Sequence, residues 1–297
     1  MNLKPLRDIR AAFRLVRTCL HLLWGAATVA VVYPWLSASP RLVLKGRWSR
    51  QLLGILGLRL AAPLQPPLVG LVVANHISFL DIFVINALAP ASFVSKDDVR
   101  SWPLIGWLCR HTDTIFLTRD SRSAAQAMRE ALASHLTQGR LTALFPEGTT
   151  TEGDKVLPFH GALLQSAVDA GAPVTPVLLR YTDAAGQPSR AAAYVGTTSL
   201  LECLWSIASC AGLVAQVDVL ETIPSGGKDR RQLSALAHRA ITRRLQTRLA
   251  APVNPSPSAS PAGRTDTGIR AGLPDAPPSI DLPTGIPSPV PADSLPA

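Results

Sequence analysis

The chain has 297 residues, 47% of them hydrophobic, with a mean hydropathy of +0.21, a formal net charge of +9 and a pI near 10.0. This length allows one large domain with appendages, and the basic balance leaves nucleic acid or an anionic membrane surface as partners. The apolar runs, and the lack of any basic block interleaved with aromatics, argue against nucleic acid and for the membrane.

The N-terminus places Lys4, Arg7, Arg10, Arg14 and Arg17 before an apolar stretch from Thr18 to Leu36. About 20 apolar residues cross a hydrocarbon core. Here, however, Arg41, Lys45, Arg47 and Arg50 follow, and basic clusters on both flanks argue against a single crossing. His21 inside the run and Pro34 near its end weaken a clean span, and no small-residue cleavage site marks a signal peptide. Residues 1–44 therefore read as a helix or hairpin embedded from the cytoplasmic face of the membrane, with one true crossing as the alternative. A periplasmic protein is the rival arrangement, which a reporter fusion at Ser39 decides.

From Leu68 the pattern becomes α/β. "LVGLVVAN" is a buried strand ending in a polar loop, and "HISFLDIFVINALAP" is a helix stopped by Pro90. "ASFVSK" and "TDTIFLTR" read as short strands. "SAAQAMREALASHLTQG" sets Ala124, Met128, Ala131, Leu132 and Leu136 on one helical face before a Gly139 stop. "LTALFPEG" is strand then loop, "GALLQSAVDAG" is helix, and "PVTPVLLR" is strand. The alternation predicts an α/β domain over residues 45–250, a mixed sheet covered by helices.

Residues 228–249 form a basic amphipathic helix, read either as a packed helix with a solvated face or as a membrane-surface contact. Beyond Ala250 the composition shifts: 12 of the 26 prolines fall in residues 251–297, with no aromatics. Such a segment cannot bury enough apolar surface to offset its ordering entropy, so it is expected to be disordered. It holds two Arg against four Asp, which leaves the positive charge in the first 250 residues. Cys19, Cys109, Cys203 and Cys210 are scattered with no C-x-x-C pair, which fits a reducing compartment and gives zinc or iron–sulfur ligation no support.

Within "VVANHISFLDIFVINAL", residues 72–88, the polar cluster Asn75, His76, Ser78 and Asp81 interrupts an apolar run. Burying a neutral polar group unpaired costs on the order of 2–7 kcal/mol. Ser78 and Asp81 have the spacing of a capping box, with Ser78 at the N-cap and Asp81 at the third helical position. That accounts for both without chemistry, but for neither Asn75 nor His76. On one ideal helix His76 and Asp81 lie about 140° apart; they meet only if His76 sits in the loop and folds back over the helix start. The imidazole is then oriented by a carboxylate, as a general base for a hydroxyl requires. A second acid, Glu147, follows another strand in "LFPEGTTTEG", residues 144–153, with Gly148 allowing close approach of backbone to a ligand.

Taken in order, Asn75-His76-x-Ser78-x-x-Asp81, Arg119 in "IFLTR", Phe145-Pro146-Glu147-Gly148-Thr149 and Val174-Thr175-Pro176-Val177 resemble the four blocks of the glycerolipid acyltransferase superfamily, over residues 45–225. The resemblance implies that His76 is the general base and Asp81 its orienting partner. It implies acceptor binding by Arg119, Glu147 and Gly148, with Thr149, Thr150 and Lys96 beside them and Asn75, Ser78 and Pro146 as support. It implies no metal and no cofactor, an acyl thioester donor on acyl carrier protein or coenzyme A, a lysolipid acceptor, and a place on the cytoplasmic face of the cell inner membrane. Phosphate-handling members continue the third block with Arg or Lys, where this chain has Thr150. "FPEGTTTEGDKVLPF" and "SFVSKDDVRSWPLIGWL" are similar to the bacterial branch that acylates lyso-ornithine lipid, with lysophosphatidic acid as the alternative acceptor. A serine hydrolase would need a G-x-S-x-G elbow, which is absent. An inactive lipid-binding protein would tolerate replacement of both His76 and Glu147.

Overall fold

The computed structural model describes residues 4–62, 66–117 and 122–250. The tail expected to be disordered, residues 251–297, lies outside them. The described chain runs α1 (Lys4–Val31), α2 (Ala38–Leu56), β1 (Leu58–Ala61), β2 (Leu71–Ala74), α3 (Leu80–Leu88), β3 (Ser92–Lys96), α4 (Pro103–His111) and β4 (Ile115–Leu117). It continues through α5 (Arg122–Thr137), β5 (Thr142–Leu144), α6 (Gln165–Asp169), β6 (Val174–Thr182), α7 (Leu200–Ser209), β7 (Leu213–Val219) and α8 (Arg230–Ala250).

The seven strands form one mixed sheet in the order β1-β7-β6-β2-β5-β3-β4. The pairs β6–β2, β2–β5, β5–β3 and β3–β4 are parallel, β6–β7 is antiparallel, and β1 lies parallel to β7 at the edge. All four residues of β2 are buried, because helices cover both faces, and its apolar β-branched run answers to that.

Alternation sorts the core. Val72 and Ala74 of β2, with Val177, Leu179 and Tyr181 of β6, face the layer made by Leu52 and Leu56 of α2, Leu80 and Val84 of α3 and Ile207 of α7. Leu71, Val73 and Val174 face the other way, onto Leu136 of α5, Ala167 of α6 and Leu233 of α8. The basic helix α8 buries Leu233, Ala237, Ile241 and Leu245, and Arg244 and Arg248 both pair with Asp218 of β7. Its apolar face is occupied by the sheet, so it is a packed helix with a solvated basic side.

The apolar N-terminal run belongs to one helix that begins at Lys4 and takes in the basic residues before Thr18. By length and composition, Lys4–Trp35 is long and apolar enough to cross a membrane. Its two sides differ. Ala11, Thr18, His21, Gly25 and Val29 are buried, with His21 stacked on Trp48 of α2 at 4.7 Å. Arg10 and Arg14 donate to the carbonyls of Ser209, Ala208 and Cys210 at the end of α7. Leu6, Ile9, Phe13, Val16, Leu20 and Trp24 are exposed, on a stripe about 80° wide. The expected division after residue 44 falls inside α2, a helix continuous from Ala38 to Leu56 and packed on α3.

Candidate active site

The loops after β2 and β5 leave neighbouring parallel strands at their C-terminal ends, where open α/β sheets place ligands. His76 is in the first loop, two residues past Ala74, and folds back over the start of α3. Its Nδ1 lies 2.8 Å from Asp81 Oδ2. Asp81 is fully buried, and the same Oδ2 accepts the backbone N–H groups of Ile77 at 2.7 Å and Ser78 at 2.9 Å. Its Oδ1 accepts the Tyr181 hydroxyl at 2.7 Å. A buried carboxylate with four donors is an acceptor on every side, which puts the ring proton of His76 on Nδ1 and leaves Nε2 as a base. Phe145 stacks on the His76 ring, with centroids 4.0 Å apart and planes 9° from parallel, and fixes its plane.

Only half of the expected capping box forms: Asp81 accepts the Ser78 N–H, but the Ser78 hydroxyl does not accept the Asp81 N–H. The helix begins at Leu80, and Asp81 N–H donates to the Ser78 backbone carbonyl rather than to its hydroxyl. The Asp81 carboxylate reaches back over the loop instead, because His76 and two loop amides compete for it. Asn75 is fully buried and pairs both ends of its amide with Leu179 of β6: Nδ2 donates to O at 3.0 Å, and Oδ1 accepts from N at 2.8 Å. The side chain thus continues the β2–β6 ladder one step past the strand and sets where the His76 loop departs.

Glu147 is placed differently from expectation. It is only 3% exposed; Oε1 accepts the His76 backbone N–H at 2.9 Å and Oε2 the Leu157 N–H at 2.8 Å. Burial raises its pKa, and the two amides counter this. With both oxygens committed, the carboxylate ties the two site loops together rather than reaching an acceptor. Pro146 is buried and its carbonyl accepts the His160 N–H. Gly148 has φ +69°, and a Cβ there would come within 3.3 Å of the His160 ring. Thr149 is exposed. Thr150 is half-buried and its hydroxyl donates to the Tyr194 carbonyl. Arg119 lies outside the described residues, as does the side chain of Lys96, whose backbone ends β3.

Two contributors were missed in the sequence. Thr151 donates its N–H to the His76 carbonyl at 2.8 Å, directly bracing the base. Tyr181 was findable in "PVLLRYT": it shares strand parity with Val177 and Leu179, and so faces α3 as they do. Burial, then the Asp81 charge, raises its pKa well above the usual phenol value, so it is a hydrogen-bond donor. Among the described residues, no three His, Cys, Asp or Glu side chains converge as a metal site would require.

The acyltransferase family model matches residues 64–180. A lyso-ornithine lipid O-acyltransferase of Pseudomonas aeruginosa is 41% identical over 180 residues, 61% of this chain and 68% of that one. A second protein of that name, from Rhizobium meliloti, is 31% identical across 79% of this chain and 87% of its own length. A 1-acyl-sn-glycerol-3-phosphate acyltransferase of Neisseria gonorrhoeae is 41% identical over 148 residues, half of this chain and 58% of that one. The crystal structure of the 1-acyl-sn-glycerophosphate (LPA) acyltransferase of Thermotoga maritima shares the fold, with a TM-score of 0.55 at 23% identity over 80% of this chain and 98% of that one.

Proposed function

Given that the chain belongs to the glycerolipid acyltransferase superfamily, we propose that it transfers a fatty acyl group from an acyl thioester to the hydroxyl of a lysolipid, with lyso-ornithine lipid as acceptor. The observation that carries the chemistry is the 2.8 Å contact between His76 and a fully buried Asp81. His76 Nε2 takes the acceptor proton as its oxygen attacks the thioester carbonyl. The imidazolium that forms faces the Asp81 carboxylate. Collapse of the tetrahedral intermediate expels the carrier thiolate, which receives the proton from His76. Asp81, Tyr181 and Glu147 are positioning residues: the first two hold the ring, and the third holds the loop that carries it.

The choice of acceptor is supported by Thr150, an uncharged side chain tied to the Tyr194 carbonyl where a phosphate would call for a bidentate cation, and by the names of the Pseudomonas and Rhizobium relatives. Arg119 and Lys96 belong to the same acceptor reading. The two-sided helix α1 supports an interfacial position on the cytoplasmic face of the inner membrane. One side is taken by α2 and α7, which leaves a single apolar stripe for lipid. The donor is a carrier-protein or coenzyme A thioester, and residues 45–250 carry the catalysis.

The test supplies membranes containing the protein with labelled acyl carrier protein and both acceptors in parallel. Label in ornithine lipid supports the reading. Label confined to phosphatidic acid would replace the acceptor and keep the chemistry, and label in neither would remove the lysolipid assignment.

A further inference from the structure

Beside the His76 loop lies an open cleft of about 510 Å³, lined by Glu152, Arg190, Thr197, Thr198, Glu202 and Cys203 among others. Three bonds made by chain neighbours of its lining residues Glu152, Ala193 and Val195 join it to the site. Tyr194 N–H donates to the Ile77 carbonyl at 3.0 Å, Thr151 N–H donates to the His76 carbonyl at 2.8 Å, and the Thr150 hydroxyl donates to the Tyr194 carbonyl. Glu152 is therefore one residue past a direct anchor of the base. With about 1.5 Å from N to Cα and about 3.8 Å between successive Cα atoms, its Cα is within about 8 Å of the His76 carbonyl oxygen.

Arg190 Nη2 lies 2.8 Å from Glu152 Oε2, and its side chain is 71% exposed. One carboxylate occupies one edge of a guanidinium with five N–H donors, so a planar fork remains available toward the cleft. Glu202, which also lines the cleft, is held by the Ser199 cap: its Oε2 accepts both the Ser199 N–H and the Ser199 hydroxyl. The ionised side chains named here are one cation and two anions. That balance repels a phosphomonoester dianion. It matches a ligand carrying one carboxylate and one ammonium.

We propose that this cleft is the acceptor-headgroup site, in which Arg190 binds the headgroup carboxylate and Glu202 its ammonium; this rests on the lyso-ornithine lipid reading above. The reach agrees. In lysophosphatidate about three bonds separate the hydroxyl carbon from phosphorus, so the anion sits close to the base. In an N-(3-hydroxyacyl) amino acid about five bonds separate the hydroxyl carbon from the carboxylate carbon, at roughly 1.5 Å each. The cation for that anion belongs further from the base than residue 150, and Arg190 is paired with Glu152, two residues on from Thr150.

The test measures kcat/KM on the full-length protein in membranes for lyso-ornithine lipid, its carboxyl methyl ester and its δ-N-acetyl derivative. The native protein should prefer the free acid over the ester by about ten- to a hundred-fold, the worth of a charge-assisted hydrogen bond. Arg190→Ala should abolish that preference, with the loss carried by KM, and Arg190→Lys should restore part of it. Glu202→Gln should in the same way abolish the preference for the free amine over its acetyl derivative. If Arg190→Ala lowers acid and ester equally, its role is structural and the headgroup site is overturned while the acceptor reading stands. If the native protein acylates lysophosphatidate and not lyso-ornithine lipid, the acceptor reading itself fails, and the headgroup assignment with it.

Discussion

The Tyr181 hydroxyl reaches from β6 to Asp81 Oδ1 across 2.7 Å, on the carboxylate oxygen that His76 does not use. The pair is buried and joins residues 100 apart in sequence, so the sheet itself orients the base. Tyr181→Phe keeps the ring in the core and removes this one donor, leaving a buried carboxylate oxygen unpaired at a cost of about 1–3 kcal/mol. We expect kcat to fall about ten-fold with KM unchanged, and the melting temperature to drop by a few degrees. His76→Ala should instead lower kcat by roughly 10²–10⁴ with no comparable change in melting temperature. Kinetics and thermal melts on both variants separate orientation from proton transfer; equal kinetic losses would assign Tyr181 a larger part than positioning.

Lys45 of α2 is half-buried and donates to the carbonyls of Ala91 at 2.7 Å and Thr112 at 3.0 Å. Burial lowers its pKa to about 8; Arg140 adds to the shift, and Asp113 and Cys109 oppose it. A lysine whose folded pKa lies below its unfolded value of 10.5 binds fewer protons in the folded state over that interval. Stability should therefore rise with pH between those two values, at up to about 1.4 kcal/mol per pH unit for this one group. Lys45→Met removes the term, so the difference in unfolding free energy between native protein and variant should grow across that window in favour of the native protein. A flat difference would mean that the ammonium is solvated.

The stripe on α1 predicts a membrane phenotype without a folding one. Phe13 and Leu20 are each 61% exposed and lie on the side away from α2 and α7. Placing either in lipid is worth about 1.5–3 kcal/mol, so Phe13→Glu or Leu20→Glu should weaken binding to anionic vesicles by at least about ten-fold while the melting temperature holds. Vesicle co-sedimentation reads the first quantity and circular dichroism the second. Unchanged sedimentation would place the contact elsewhere.

What could be read in advance follows the range of the interactions. The contact of His76 with Asp81 is local, and strand end, loop and helix start were enough to predict it. The partners that hold the pair are not local: Leu179 for Asn75 and Tyr181 for Asp81 come from a strand about 100 residues on, visible only through the parity of 177, 179 and 181. Acceptor binding by Glu147 was what the family resemblance implied, and its own neighbours in sequence gave no sign of burial. Here the amides of His76 and Leu157 close over it, an arrangement set by two loops meeting. The start of α1 was hidden because Arg10 and Arg14 read as a membrane flank, whereas they serve the carbonyl end of α7. Neither β7, "LVAQVDV", nor β1, four residues after a leucine-rich helix, was among the strands read from the sequence, although β7 carries a partial two-residue alternation in which Ala215, Val217 and Val219 share a face.

Thr150 gives the sharpest test of acceptor choice, because its side chain already points at the 190–198 loop through its bond to the Tyr194 carbonyl. Thr150→Arg would put a guanidinium on the loop that braces His76, where the anion of a short-reach acceptor arrives, two residues before the Glu152 that pairs with Arg190. A new bidentate phosphate contact is worth about 1.5–3 kcal/mol when charge-assisted, so kcat/KM for lysophosphatidate should rise by about ten-fold or more. The longer acceptor gains nothing from this cation and loses room, so its kcat/KM should fall. Competition between the two acceptors in one assay, read by the label in each product, gives the ratio directly. A ratio that does not move toward phosphatidic acid would show that position 150 does not select the headgroup, and would leave selection to Arg119, Lys96 and the cleft around Arg190.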